Sequence, residues 1–263
     1  MTSQGESGRP LFGKRVLVTR AREQASQLSR RLADAGALPV ELPTIQIEPP
    51  ESWTQVDRAV GQLDDYAWVV FTSANGVRWL FQRLETLGRD ARALGQAKVA
   101  AIGPATAEAL RAVGVRADFV PSEYVAEAVA AGLAERGVAG ERVLVARAAE
   151  AREALVARLR SQDARVDEVA VYRTVPALDV GPRLRELLDS GDLDVVTFAS
   201  SSTVRSLVGL LGDDASERLA RCVVACIGPI TAQTAQELGL RVDVVAAEYT
   251  IPGLVRALEE HYR

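Results

Sequence analysis

Histidine is nearly missing from this chain: the one copy, His261, lies two residues from the end. Cysteine occurs twice, as Cys222 and Cys226. With so few imidazoles and thiols, no zinc-ligand spacing, Cys–His dyad or Ser–His–Asp triad can be assembled, so the sequence implies no metal. The two cysteines fall in one strand-like run. At about 3.3 Å per residue they sit roughly 13 Å apart, beyond disulfide reach, and they read as small core residues of a cytoplasmic protein. Lysine is limited to Lys14 and Lys98, and the net charge is −4. No basic field advertises nucleic acid or an anionic membrane. No apolar run approaches the ~20 residues of a membrane span. Residues 1–9 are polar, with no apolar stretch of a signal peptide, and read as a flexible tail. There is no G-x-x-x-x-G-K-[ST] loop and no G-x-G-x-x-G after the first strand, so nucleotide cofactors are unsupported. No carboxylate pair stands at a strand end, which argues against glycosidase-type chemistry.

What is present is globular: 48% apolar and 25% charged residues in 263, enough for one large or two ordinary domains. The cationic charge is almost all arginine, which forms two-point bonds to carboxylate or phosphate. Short β-branched runs alternate with amphipathic helical runs closed by glycine. Arg15-Val16-Leu17-Val18-Thr19 reads as a buried strand, followed by a helix to about Ala35. Val40-Glu41-Leu42 is a second strand, and residues 43–50, bounded by prolines, read as an extended connector. A helix over 53–63 precedes the strand Trp68-Val69-Val70-Phe71, then another helix. Val99-Ala100-Ala101-Ile102 leads into the turn Gly103-Pro104-Ala105-Thr106 and its helix. Ala117-Asp118-Phe119-Val120 is a short strand before a helix over 125–136.

At Gly140 the pattern restarts. Arg142-Val143-Leu144-Val145 echoes Arg15-Val16-Leu17-Val18 at a shift of 127. Residues 169–176 echo 42–49, and the strand and turn from Val195 to Val204 echo those from Trp68 to Val77, at the same shift. Gly228-Pro229-Ile230-Thr231 echoes Gly103-Pro104-Ala105-Thr106 at 125, as do Asp243 and Asp118, and Tyr249 and Tyr124. Six landmarks in register with one two-residue slip mark a duplicated βα unit, with parallel sheets covered on both faces.

In open parallel sheets, ligands sit beyond the carboxyl ends of the strands. The polar clusters fall there: Arg20 and Arg147 after the first strands, Ser73-Ala74-Asn75 and Ser200-Ser201-Ser202 after the third, Gly103 to Thr106 and Gly228 to Thr231 after the fourth. Two such rims facing each other across a cleft would suit a large polyanion. Helix N-termini carry partial positive charge and unpaired N–H groups, and Gly allows close ligand approach. N-capping alone accounts for Ser or Thr at several of these places. Composition and spacing stop at a cofactor-free site of helix ends, hydroxyls, a few arginines and Tyr172.

The landmarks Val16-Leu17-Val18-Thr19-Arg20, Phe71-Thr72-Ser73-Ala74-Asn75-Gly76-Val77, Ala101-Ile102-Gly103-Pro104-Ala105-Thr106-Ala107, Val171-Tyr172-Arg173-Thr174 and Ile227-Gly228-Pro229-Ile230-Thr231-Ala232 resemble the uroporphyrinogen-III synthase family. The likeness runs from about Lys14 to Leu258. It implies an α/β fold of two flavodoxin-like domains with parallel sheets, joined by a two-segment extended hinge. The first domain would be discontinuous, residues 1–44 with 176–263, the second would span 49–168, and the hinge would lie at 45–48 and 169–175. The implied substrate is hydroxymethylbilane, a linear tetrapyrrole with eight carboxylates, received from the preceding pathway enzyme. The implied reaction closes the ring, inverts the last pyrrole and expels water, without a cofactor, in a monomer. Tyr172 matches the family position that assists loss of the hydroxyl. Arg20, Ser73, Ala74, Asn75, Gly103, Thr106, Arg147, Ser200, Ser201, Ser202, Gly228, Ile230 and Thr231 would bind substrate. A second reading, from another class, is a non-catalytic clamshell sensor for an anionic metabolite.

Overall fold

The protein was analysed as a computed structural model that describes residues 9–263. The polar stretch read as a flexible tail lies, apart from Arg9, outside the described residues. In chain order the elements begin with β1 (Arg15–Val18), α1 (Arg22–Asp34), β2 (Leu38–Glu41), β3 (Ile45–Glu48), α2 (Thr54–Gly61), β4 (Trp68–Phe71) and α3 (Ala74–Thr86). Then come β5 (Lys98–Ala101), α4 (Pro104–Ala112), α5 (Ala126–Ala134), β6 (Arg142–Ala148), α6 (Ala154–Ser161) and β7 (Arg165–Pro176). The last are α7 (Gly181–Asp189), β8 (Val195–Phe198), α8 (Ser201–Leu211), α9 (Ala215–Leu219), β9 (Val223–Cys226), α10 (Pro229–Glu237), β10 (Val244–Val245) and α11 (Ile251–His261).

The chain divides into two compact units. Unit 1 holds Met1–Ile47 and Val175–Arg263, and unit 2 holds Glu48–Thr174. In unit 1 the sheet order is β10-β9-β8-β1-β2, with every neighbouring pair parallel. Alternate residues of each strand serve opposite faces, as the period of two requires. Leu17, Val196, Phe198, Val224 and Cys226 pack under α7, α8, α9 and α10. Val16, Val18, Val195 and Ala225 pack under α1 and α11 through Leu28, Leu32, Leu254 and Leu258. Cys222 and Cys226 are free thiols buried in the first of these cores.

The second sheet has the order β3-β7-β6-β4-β5. Its pairs β4–β5, β4–β6 and β6–β7 are parallel. Trp68, Val70, Val143 and Val145 pack on one face against Val129 and Leu133 of α5 and Leu155, Val156 and Leu159 of α6. The other face puts Phe71 6.3 Å from Phe81 of α3, centroid to centroid.

Two elements differ from the sequence reading. The proline-bounded connector contains a paired strand, β3, at the sheet's edge, where proline neighbours are tolerated. The short strand at 117–120 shrinks to one bridge, Ala100 to Phe119, with Pro121 unable to donate the next ladder bond.

Candidate active site

Parallel pairing sends the carboxyl ends of β4, β5, β6 and β7 to one edge of unit 2. Ser73 leaves β4 in extended conformation and becomes the N-cap of α3, its Oγ accepting from the Gly76 N–H at 2.9 Å. That same Oγ lies 3.0 Å from the Tyr172 hydroxyl. Tyr172 reaches it because β7 runs twelve residues, and a register shift after Arg147 sets Tyr172 opposite Ala148 at the end of β6. Asn75 is buried and accepts from Arg78 Nη2 through its Oδ1 at 2.8 Å. Ala74 opens α3 beside them. Burial pushes the Tyr172 phenol above its ordinary value, and the Glu150 carboxylate adds to this. Ser73, Asn75 and Arg78 pull the other way.

The neighbouring turn carries Gly103 at the N-cap of α4 and Pro104 at its first position. Pro there lacks only an N–H that would be unpaired anyway. Gly103 sits close under a ring: a Cβ built on it would meet Tyr124 at 3.2 Å, a tight contact that the ring would have to relieve by a small shift. Thr106 is buried two positions further into the helix and is not the cap. Arg147 stands near the carboxyl end of β6, one residue before its last. It lies within β6, and its guanidinium bridges Glu153 at 2.9 Å and Glu168 at 3.3 Å. The sequence reading had it follow the strand as a substrate ligand; two carboxylates already hold it.

Unit 1 repeats the rim. Ser200 caps α8, accepting from the Thr203 N–H at 3.4 Å, and sits 2.8 Å from the Ser202 hydroxyl. Ser201 is 2.8 Å from Thr234 Oγ1 and ties α8 to α10. The serine run thus spends much of its hydrogen bonding on its own two helices. Gly228 is the N-cap of α10, with Ile230 and the buried Thr231 in its first turn. A Cβ on Gly228 would meet the Tyr249 ring at 3.2 Å, as on Gly103 with Tyr124. Thr19, which precedes Arg20, is fully buried and donates to the Thr197 carbonyl at 2.8 Å. Burial lowers the Arg20 guanidinium from its usual value, and it keeps its charge at any ordinary pH.

Sequence reasoning missed Arg78. One signal pointed to it: it stands three residues after Asn75, the helical spacing at which side chains meet. At the opposite end of unit 2's strands a cavity of about 390 Å³ is lined by Arg58, Gln62, Tyr66, Arg142, Arg160 and Asp167. There Tyr66 donates to Asp167 at 2.8 Å, as does Arg142. Among the described residues no cluster of three or more His, Cys, Asp or Glu could hold a metal ion. No helix among them is long and apolar enough to cross a membrane.

A family model described as uroporphyrinogen-III synthase HemD matches residues 26–256. The chain is 38% identical to a uroporphyrinogen-III synthase of Synechococcus elongatus, over 97% of each chain. It is 35% identical to the porphyrin biosynthesis protein HemD of Ruminiclostridium josui, over 96% of this chain and 49% of that longer one. In fold it is similar to a mutant uroporphyrinogen III synthase of Thermus thermophilus, with a TM-score of 0.67 at 21% identity, covering 94% of this chain and 98% of that one. The family match over most of the chain, and a relative aligned almost end to end, carry one conclusion: the chain belongs to the uroporphyrinogen-III synthase family.

Proposed function

We propose that this chain, a uroporphyrinogen-III synthase and hence a lyase of porphyrin biosynthesis, turns over hydroxymethylbilane with Tyr172 assisting departure of the hydroxyl. The observation that carries the role is the buried phenol 3.0 Å from Ser73 at the carboxyl edge of unit 2's sheet. An ordinary tyrosine, with pKa near ~10, is protonated at neutral pH, and burial strengthens that here. The phenol gives its proton to the leaving hydroxyl, which departs as water and leaves an electrophilic azafulvene. The substituted carbon of the last pyrrole attacks it, forming a spirocyclic intermediate. This fragments and recloses with the ring turned, and the phenolate recovers a proton as the ring carbon rearomatises. Ring closure is accessible without help once the azafulvene exists. The protein's further task is to hold one near-attack geometry and exclude water.

The substrate's carboxylates are taken by the helix N-termini at Ser73, Gly103, Ser200 and Gly228, each worth about half a positive charge, with Asn75, Thr106, Ile230 and Thr231 beside them and Arg20 supplying a full charge. The strand orders support reading each unit as flavodoxin-like: unit 1 runs second-first-third-fourth-fifth in space, and in the second sheet β4 to β7 run second-first-third-fourth with β3 at the far edge. Residues 45–48 and 169–175, where the chain passes between units, are read as the hinge. The test is direct. Purified protein is given hydroxymethylbilane and the uroporphyrinogen isomers are separated. Isomer III in excess over the buffer blank is expected; isomer I alone would overturn the assignment.

A further inference from the structure

We infer that the outer edge of β7 at residues 166–170 is a docking site for an extended acidic peptide segment, which adds a strand to the sheet of unit 2. β7 is twelve residues long, and β3, its neighbour on the outer side, is four. Glu48 of β3 meets Arg173 at 2.7 Å, and the Thr44 carbonyl accepts the Ala177 N–H at 2.9 Å. β3 therefore runs antiparallel beside residues 173–176 and leaves the first half of β7 without an outer strand. The Arg165 N–H donates to the Glu141 carbonyl at 2.9 Å, so Arg165, Asp167 and Val169 spend their backbone groups on β6. Those of Val166, Glu168 and Ala170 face outward. Arg160 Nη2 reaches the Val166 carbonyl from that side, at 3.4 Å.

The other sheet edges are blunted. In β2, Leu38 and Leu42 just beyond it donate their N–H groups to Lys14 and Val18 of the β1 side. Pro39 thus takes the outward position, where its missing donor closes the edge. β10 is two residues long. The outer side of β5 is taken by Asp118 and Phe119, which bond Val99 and bridge Ala100. β3 is confined between Pro43 and Pro49. Residues 165–170 of β7 contain no proline, and among the described residues no other strand or bridge covers their outer side.

The cavity of about 390 Å³ follows this bare edge. Successive strand residues point to opposite faces, yet Asp167 and Glu168 both line it, so it wraps the edge instead of lying on one face. Gln55, Arg58 and Gln62, spaced along one side of α2, form one wall, and Arg160 of α6 forms the other. The charges favour an acidic occupant. Asp167 is held by Arg142 at 2.8 Å, and Glu168 by Arg147 and Arg160 at 3.3 Å each. Arg58 is exposed and makes no hydrogen bond or ion pair among the described residues. The acids of the cavity are neutralised from within, and one arginine is left over in a chain of net charge −4. In strand addition the backbone supplies affinity and side-chain contacts supply specificity. Here Val166, Glu168 and Ala170 offer the backbone, and Arg58 meets a carboxylate of the added strand.

The experiment titrates the full chain into a fluorescein-labelled heptapeptide of alternating glutamate and threonine and follows anisotropy. Saturable binding with Kd of about 1 mM or tighter is expected, and none with lysine in place of glutamate. Arg58→Glu should weaken it by about 10-fold, through like-charge repulsion. Glu168→Pro should abolish it: proline removes an outward N–H and no bond to β6, as Pro39 does in β2. Glu168→Gln, which keeps that N–H, should bind as well as the wild type. Melting temperatures report folding of each variant. A peptide methylated on every amide nitrogen keeps its carboxylates and should not bind, a test that needs no variant. No binding at about 1 mM peptide, equal binding of the methylated or lysine peptide, displacement by an equal concentration of inorganic phosphate, or full affinity in Arg58→Glu would overturn the inference. So would a concentration-dependent dimer in sedimentation that Glu168→Pro abolishes, which would give the edge to a second copy of the chain.

Discussion

Tyr172 combines two demands that pull its acidity in opposite directions. Burial keeps the phenol protonated, and the hydrogen bond with Ser73 and the nearby Arg78 charge act in the other direction. Tyr172→Phe removes the proton but keeps the ring, so the fold should persist while kcat falls by about 10²-fold. The pH dependence has a definite sign. The acid works while protonated, and its value is raised above the ordinary ~10. Turnover of the wild type should therefore show no alkaline fall from this group between pH 7 and about 10, and a fall beginning near pH 8 would contradict the assignment. Of this site, Ser73 and Asn75 were legible because strand ends and the repeat singled them out, and Tyr172 because its position resembles the family's pattern. Arg78 was not, being one arginine among many on helices. The pairing of Arg147 was hidden for a related reason: Glu153 and Glu168 lie near it only once β6, β7 and the turn after β6 are folded.

At the scale of elements, the sequence echo has a physical content beyond ancestry. Asp118 and Asp243 are equivalent positions. Each carboxylate accepts the N–H near the start of a strand, Val99 at 2.7 Å in β5 and Val224 at 2.9 Å in β9. Each follows a glycine in the left-handed region, Gly114 with φ of 81° and Gly239 with φ of 79°, which ends the preceding helix. Replacing either aspartate by alanine leaves a strand N–H without its partner. A loss of about 1–2 kcal/mol in urea unfolding is expected, with kcat unchanged. Stability equal to wild type in both variants would remove the structural reason for the echo. The alternation of strands and helices, and the parallel sheets it implies, could be read from residue patterns because each buried strand is a short β-branched run. β3 could not. Its prolines argue against a central strand, and only the finished sheet shows that the place it takes is an edge.

At the scale of the whole molecule, unit 1 is assembled from two distant stretches of chain, and Asp194 is one of the groups that join them. It accepts from the Arg15 N–H at 2.8 Å and from Lys14 Nζ at 3.0 Å. Burial alone would raise its carboxyl, but these two groups outweigh that and hold it below the usual range. A depressed carboxyl stabilises the folded state above its unfolded value, near ~3.9, and the contribution is lost as pH falls through the folded value. The side chain is 33% exposed, so solvent limits the effect to about 1 kcal/mol. Asp194→Asn should lower stability by that amount at pH 7 and flatten the fall in stability below pH 4. An acid profile identical to wild type would refute the argument.

The position of β1 in its sheet sets a timetable for synthesis. β1 is flanked by β2 and β8, and all of Glu48–Thr174 is translated between them. On a ribosome adding about 5–20 residues per second, that delay is on the order of ten seconds. During it, Val16, Leu17 and Val18 have β2 on one side and an open ladder edge on the other. Unit 2, by contrast, is encoded without interruption and has its full set of strands before β8 is made. The nascent protein therefore passes through a stage with one unit complete and the other carrying an unpaired apolar strand edge. A chain released at Thr174 should bind hydrophobic dyes and aggregate where the full chain does not.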